Sequence, residues 1–418
     1  MMELCDSSKC VGCGICALRC PGNAIAMVTD LNGFSYPLLN QQLCIDCGTC
    51  RSVCPVLSES DTPDNYLPFG VFACWNRHVE IRLASSSGGI FSVLADTILS
   101  KGGVVYGAVF NASLKVTIIR TEHRFEVEKM RGSKYIEADL SNVFRMVAHD
   151  IREGKAILFS GTPCQNAALR RYLLSEQIDY EISPLYQVDF ICHGVSSPAL
   201  WKSFISAIEK KYRSKLNYVY FRDKSIGGWK SPAMRFTFLD RKDIFTSWST
   251  PVLRLENAFI SCYHKNITLR RSCYSCRFRN LPRSSDVTLA DAQALYHRSS
   301  FHREARAGIS FVLINSVKGK RLFEESSEDI TLQPRPFFEM GIPGQTIPLP
   351  PLREIFLKEA ATLDFFSLFQ KYRSHISSPF RFGTFLNAFL KMVFGAKIAL
   401  KIRETGSFVY NRIFGRDR

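Results

Sequence analysis

Cys10, Cys13, Cys16 and Cys20 stand at the spacing C-x-x-C-x-x-C-x-x-x-C with Pro21 after them, and Cys44, Cys47, Cys50 and Cys54 repeat the pattern ahead of Pro55. Such runs ligate two 4Fe–4S clusters: the first three cysteines of a run wrap one cube, and the fourth, past a longer spacer, ligates the cube of the other run. The spacing therefore predicts one cluster on Cys10, Cys13, Cys16 and Cys54 and another on Cys44, Cys47, Cys50 and Cys20. Gly12, Gly14 and Gly48 relieve crowding where backbone passes close to sulfide. A structural zinc would need only four thiolates, usually as two separated C-x-x-C knuckles. Eight cysteines in two matching runs argue against it, and the stretch reads as an electron carrier.

The rest of the chain is long enough, at 418 residues, for two or three domains. Its composition, 46% apolar and 22% charged, is that of a globular protein. Eight of fifteen cysteines are claimed as cluster thiolates, which predicts a reducing, cytoplasmic setting. No signal peptide is visible in Met-Met-Glu-Leu-Cys-Asp, and no long uncharged apolar run predicts a membrane span. The formal charge of +16 is uneven: residues 1–58 carry three Lys/Arg against four Asp/Glu, residues 370–418 ten against two. Basic surfaces hold nucleic acid, phosphate-bearing cofactors or acidic redox partners alike.

Residues 1–58 read as a bacterial-type ferredoxin module of α+β class with a two-fold internal repeat, and 59–68 as a polar linker broken at Pro63. From residue 69 the pattern becomes strand, Gly-rich loop, helix. Strand 71–75 leads to Ser85-Ser-Ser-Gly-Gly89, then a serine-capped helix over 90–99 and a strand over 104–110. A second unit joins a helix near 143–152, strand 156–159, loop 160–165 and a helix from about Asn166. A third joins strand 186–191, loop 192–194 and a helix over about 198–212. This alternation predicts an α/β domain over 69–330 with a mostly parallel sheet and ligand-binding loops at the strands' carboxyl ends. Residues 234–239 and 244–248 predict an inserted β-hairpin, and 308–315 a buried strand. Residues 331–418 read as a Pro-rich loop and a basic helical tail.

Two loops display cysteine after a strand: Gly161-Thr-Pro-Cys-Gln165, at a helix mouth where a thiolate is favoured, and Cys192-His-Gly194. Ser-Ser-Gly-Gly at 86–89, just before a helix, suits either a phosphate or a plain capped turn. Together with Gly102-Gly-Val-Val-Tyr-Gly107, Arg131-Gly-Ser-Lys-Tyr135 and Ser272-Cys-Tyr-Ser-Cys276, these motifs resemble, in order, the beta subunit of coenzyme F420 hydrogenase/dehydrogenase in its bacterial form with a fused ferredoxin domain. The resemblance spans roughly residues 1–330. It implies FAD beside the iron–sulfur clusters, with electrons passing between them and a deazaflavin or other organic substrate. Bacterial members of this form often belong with polysaccharide biosynthesis. By the same resemblance Ser87, Gly88, Gly89, Lys134, Gly161, Thr162, His193 and Asp291 are candidate flavin-site positions. The chain departs from the family at Ala290-Asp-Ala-Gln-Ala294, where only Asp291 survives of a usual Gly-Asp-aromatic-Trp-Gly stretch.

Of the seven remaining cysteines, Cys273 and Cys276 form a ligand-like pair. With Cys164 and Cys192 they can complete a third cluster; the alternatives are a redox dithiol or plain structure. Arg270, Arg271, Arg277 and Arg279 are expected to stabilise the thiolates. Residues 265–306 hold nine Lys/Arg against three Asp/Glu, fit for a flavin diphosphate or an acidic electron donor. Nucleic acid is disfavoured, because no binding motif or interleaved aromatic platform accompanies the charge. The tail over 385–400, with Lys391, Lys397 and Lys401, suits peripheral membrane contact or a helix docked on its own domain. The sequence thus predicts an iron–sulfur flavoprotein oxidoreductase working with a redox partner or electron donor. The rival is an electron-transfer subunit without a substrate site of its own.

Overall fold

The computed structural model describes residues 4–58, 68–140, 142–247, 255–295, 299–301, 304–341, 344 and 346–377. The linker at 59–67 and the tail at 385–400 lie outside the described residues. In the cysteine-rich module β1 (Ile25–Thr29) pairs antiparallel with β2 (Ser35–Leu39). Each cysteine run folds into one helical turn, Ile15–Leu18 and Thr49–Ser52, entered through a glycine with φ near +75°, Gly14 and Gly48. Only glycine adopts that left-handed conformation without cost, so the internal repeat of the sequence becomes a repeat of backbone geometry.

The remaining strands are β3 (Gly70–Asn76), β4 (Val104–Phe110), β5 (Val116–Thr121), β6 (Ile157–Ser160), β7 (Leu185–Phe190), β8 (Leu216–Asp223), β9 (Ala233–Phe238), β10 (Ile244–Ser247), β11 (Val287–Asp291), β12 (Ser310–Ile314) and β13 (Ile330–Pro334). Eight of them form one sheet in the order β13-β3-β12-β11-β7-β6-β4-β5. The expectation of a mostly parallel sheet is corrected: β4, β6, β7 and β11 pair in parallel, but the other four pairings are antiparallel. A parallel pair needs a crossover of a dozen or more residues. Only residues 111–115 separate β4 from β5, so that pair has to be a hairpin. Since β12 opposes both β11 and β3, the strand β3 runs with the parallel four, and the loops that follow all five leave from one rim. Strands β8, β9 and β10 form a separate antiparallel sheet.

Both faces of the large sheet are covered. In β12, Val312 and Ile314 join the core under helices Ile90–Ser100 and Val317–Glu325, while Phe311 and Leu313 point into an opposite core with Trp75 and Trp229. Period-2 alternation in a strand buried on both sides reads as a continuous apolar run. A third core gathers Tyr106, Phe159, Phe144 and Leu169 and takes in Ile15 and Val53 from the cysteine-rich module. Ile15 is fully buried there. A buried isoleucine contributes about 1.5–3 kcal/mol, so the module is held by packing as well as by its covalent link. Among the described residues no helix is long and apolar enough to cross a membrane.

Candidate functional site

In the ferredoxin-like module one cavity is lined by Cys20, Cys44, Cys47 and Cys50. Another is lined by Cys10, Cys13, Cys16 and Cys54, together with Cys5 and Cys50. The fourth cysteine of each run therefore shares a cavity with the first three of the other. Burial is the first cause of the raised thiols of Cys13 and Cys16, the latter pushed up to about 12. Cys5 hydrogen-bonds Cys54, which lowers Cys54 and raises Cys5. Buried thiols of this kind become thiolates when a metal supplies the compensating charge. Among the described residues no three His, Cys, Asp or Glu side chains close on a point as around a single ion.

Cys164, Cys192, Cys273 and Cys276 come together at the rim of the sheet. The first lies in the opening turn of helix Pro163–Ser175 after β6, the second in the loop after β7. The pair Cys273/Cys276 arrives on the 3-10 turn Arg271–Tyr274 and the residues after it. Cys273 packs against the β7 loop so closely that a Cβ added at Gly194 would stand 3.1 Å from its own Cβ. Each thiol feels its neighbours: Cys164 feels Cys276 and Cys273, Cys192 feels Cys164 and Cys276, and Cys273 feels Cys192 and Cys276. Burial acts first at all four, pushing Cys164, Cys192 and Cys273 up to about 12 and also raising Cys276. At Cys164 this desolvation acts against the thiolate expected at the helix mouth, while the Thr162 hydroxyl and the charge of Arg270 favour it.

The arginine expectation needs a similar correction. Arg271 pairs with Glu354, Arg277 donates to Val56 O and Ser58 O at 2.8 and 2.9 Å, and Arg270 turns toward the ferredoxin-like module. Of the four, Arg279 lies along the thiols, donating to His193 O at 2.7 Å and Cys273 O at 2.8 Å, and the charge of Arg270 also favours the thiolate of Cys164. Arg283, which the sequence did not single out, joins it, and both favour the thiolate of Cys276. Arg283 and its partner Asp189, 3.5 Å apart, are both completely buried. Arg279 Nε and Arg283 Nε and Nη2 have no hydrogen-bond partner among the described residues. Unused buried guanidinium donors beside four thiols fit an anionic tetrathiolate centre, which would accept from them.

The candidate flavin positions divide between this centre and the neighbouring rim. Thr162 caps helix Pro163–Ser175 in a reciprocal capping box with Gln165, and its hydroxyl lies 3.2 Å from Cys164 Sγ. A Cβ at Gly161 would meet Phe159 at 2.9 Å. His193 Nε2 is 2.6 Å from Asn266 Oδ1, and burial lowers its imidazole. Its ring meets Tyr263, which in turn meets Tyr135 with ring centres 4.6 Å apart. Lys134 donates to the carbonyls of Met130, Arg131 and Gly132 at the end of helix Arg124–Met130, and burial brings it down to about 7.

Helix Ile90–Ser100 begins at Gly89 with no side-chain cap, contrary to the serine caps expected: Ser85 and Ser87 hydroxyls donate instead to Ile81 O and Ile309 O. Gly88 N donates to Ser310 Oγ at 2.9 Å, and a Cβ on Gly88 would stand 2.5 Å from Cys74 O, so this glycine serves close packing of β3 and β12. Asp291 is ion-paired with Arg222 and accepts from Trp229 Nε1 at 3.3 Å. Arg222, Tyr263, His264 and Lys224 were not singled out in the sequence. They come from β8, the residue just after it, and helix Leu255–His264, where periodicity signals a core and nothing more. Lys224 Nζ donates to Arg82 O, Ser87 O and Ala307 O at 2.5, 2.7 and 2.6 Å, tying the Ser-Ser-Gly-Gly loop to the start of β12.

Cysteine-lined cavities in a two-fold module beside a mixed α/β sheet define an iron–sulfur electron-transfer protein. Residues 9–57 match the 4Fe–4S dicluster domain, and residues 154–337 match the family described as the C terminus of the coenzyme F420 hydrogenase/dehydrogenase beta subunit. The chain thus joins an N-terminal dicluster domain to a C-terminal domain of that family. A solved chain from the F420-reducing NiFe hydrogenase complex of Methanosarcina barkeri is similar to it at 14% identity, with 75% of this chain and 94% of that chain covered and a TM-score of 0.44. No curated protein matches the chain.

Proposed function

We propose that the chain is an iron–sulfur flavoprotein oxidoreductase, organised as a ferredoxin domain over 1–58, a linker over 59–68, a flavin-binding domain over 69–330 and a C-terminal segment over 331–418. Two cubes are held by Cys10, Cys13, Cys16 and Cys54 and by Cys44, Cys47, Cys50 and Cys20, and a third by Cys164, Cys192, Cys273 and Cys276. The observation that carries the reading is the gathering of those last four half-buried thiols, with unused arginine donors, between the ferredoxin-like module and the aromatic wall of Tyr135, Tyr263 and His193. FAD, when bound, exchanges single electrons with clusters and pairs of electrons with an organic substrate. The uncapped start of helix Ile90–Ser100 supports a place for its diphosphate, the aromatic wall a place for its ring. Lys134, which desolvation brings down to about 7, is suited to hold or release a proton near neutral pH. The demand for many free thiols supports a cytoplasmic setting with a protein electron donor.

One observation favours a second reading. Asp291, the survivor of the altered stretch, is occupied by Arg222 and Trp229 instead of facing a substrate. This supports an electron-transfer subunit that serves a partner enzyme. Anaerobic purification followed by iron, sulfide and flavin assay tests both: about twelve irons and one FAD per chain are expected. About eight irons and no flavin, even after incubation with FAD, would leave the subunit reading in place.

A further inference from the structure

We infer that Arg270 and Glu137 form a buried charge pair that sets the reduction potential of the centre on Cys10, Cys13, Cys16 and Cys54. The same pair marks that centre as the one facing the four thiols at the sheet rim. The inference rests on the reading of the eight module cysteines as ligands of two cubes.

Arg270 stands three residues before Cys273, with its backbone N donating to Val195 O at 2.9 Å and its carbonyl accepting from Cys273 N at 3.0 Å. Its side chain, 2% exposed, crosses into the cysteine-rich module. There Nε donates to Cys10 O at 2.8 Å, Nη2 to Ser35 O at 2.8 Å, and Nη1 to both oxygens of Glu137 at 2.9 and 2.7 Å. The guanidinium lies over Tyr36, 4.2 Å from the ring centre. A Cβ on Gly12 would stand 2.9 Å from Nη1, so the residue between Cys10 and Cys13 is left bare where the guanidinium enters. Seven residues on, Arg277 grips Val56 O and Ser58 O just past Cys54. One segment, 270–277, thus touches the module beside two ligands of the same set while itself carrying Cys273 and Cys276. The other set faces outward: Cys47 is exposed, and Leu43 and Ile45 beside it are 51% and 68% exposed.

Reduction adds one negative charge to a tetrathiolate cube. A guanidinium fixed against a ligand's carbonyl favours the reduced form, a nearby carboxylate disfavours it, and both act strongly in a dry interior. Arg270 and Glu137 therefore push in opposite directions. Removing one should expose the effect of the other, whereas a pair that only glued the module in place would give the same defect from either side.

The test is a redox titration followed by paramagnetic resonance on the full chain, with Cys47→Ser to tell the outer centre from the inner one. Arg270→Met should lower the inner centre's potential, and Glu137→Gln should raise it. Each change should shift its reduction equilibrium about tenfold, or about 59 mV for one electron. The outer centre should stay put in both. Arg270→Lys, which keeps the charge, should fall between Arg270→Met and the parent. If Arg270→Met fails to hold the inner centre, Glu137→Gln and Arg270→Lys still carry the sign. Shifts of the same sign, or no shift, would overturn the inference while leaving the cubes intact. Absence of both resonance signals from the parent chain would instead remove the cluster reading on which it rests.

Discussion

Replacing Arg283 by methionine strips a fully buried guanidinium from a fully buried carboxylate, Asp189. Removing one member of such a pair leaves the other charge stranded, a loss of about 3–5 kcal/mol. Burial already raises the Asp189 carboxyl, and Ser285 and Thr288 hydroxyls help hold it, so proton uptake and these bonds place the loss near the lower end, about 3 kcal/mol. At about 2–4 °C per kcal/mol the melting point should fall by roughly 6–12 °C. The double change Asp189→Leu with Arg283→Met removes both charges. Neutral replacement of a buried pair is close to neutral for stability, so most of the loss should return. Iron should not return with it. If the unused N–H groups of Arg283 serve the four-thiol centre, the double variant melts near the parent yet holds about eight irons instead of twelve. Melting curves and iron assays on the same anaerobic preparations decide this. A double variant melting as low as Arg283→Met would refute the charge argument, and a full iron complement in Arg283→Met would refute the link to the thiols.

Cys20→Ser should bleach the centre of the other run, on Cys44, Cys47 and Cys50, because Cys20 shares their cavity; loss of only the first run's resonance signal would mean uncrossed ligation. Ile15→Ala should cost about 2–5 kcal/mol by opening a cavity where the module meets the sheet, read as earlier proteolysis of residues 1–58 and a lower melting point. Asp150 is partly desolvated, yet hydrogen bonds from Arg120 and Tyr106 win and hold its carboxyl below the ordinary value. With the folded value depressed, its stabilisation is present above the unfolded value near 3.8 and is lost as pH falls through the folded one. Asp150→Asn should therefore cost about 2 kcal/mol at neutral pH and progressively less below about pH 4, as melting against pH would show.

Much of the fold was legible because its signals are local. The cysteine runs fix their own turns, the helices over 143–152 and 198–212 fall where their periodicity puts them, and Thr162 caps its helix through a motif four residues long. That helix begins at Pro163, ahead of the expected Asn166, since proline is preorganised for a first turn. What escaped was decided between distant segments. Strands β5 and β13 carry no hairpin or crossover signature of their own, and together with β12, whose direction its apolar run does not reveal, they turn a parallel sheet into a mixed one. The four rim cysteines were legible as residue types, but their meeting depends on β6 and β7 being neighbours and on residues 270–276 returning to the loop after β7.

The arginines show the limit most sharply. In sequence, Arg270, Arg271, Arg277 and Arg279 form one basic stretch, and their charge reads as a single property. In the fold they do four different things, because a short irregular segment points successive side chains toward different neighbours: the first-run cysteines, Glu354, the chain past Cys54, and the rim thiols. Only the glycine at position 12 hinted at this. Inside a cysteine run it reads as room for sulfide, yet the space beside it is taken by the guanidinium of Arg270, 258 residues further along the chain. A bare position inside such a run records an approach by something, and the sequence does not say by what. Where that something is a buried charge, it fixes how the module sits and biases the electron affinity of the centre beside it. Docking and redox tuning in this chain then share one side chain, and a substitution there should disturb both together.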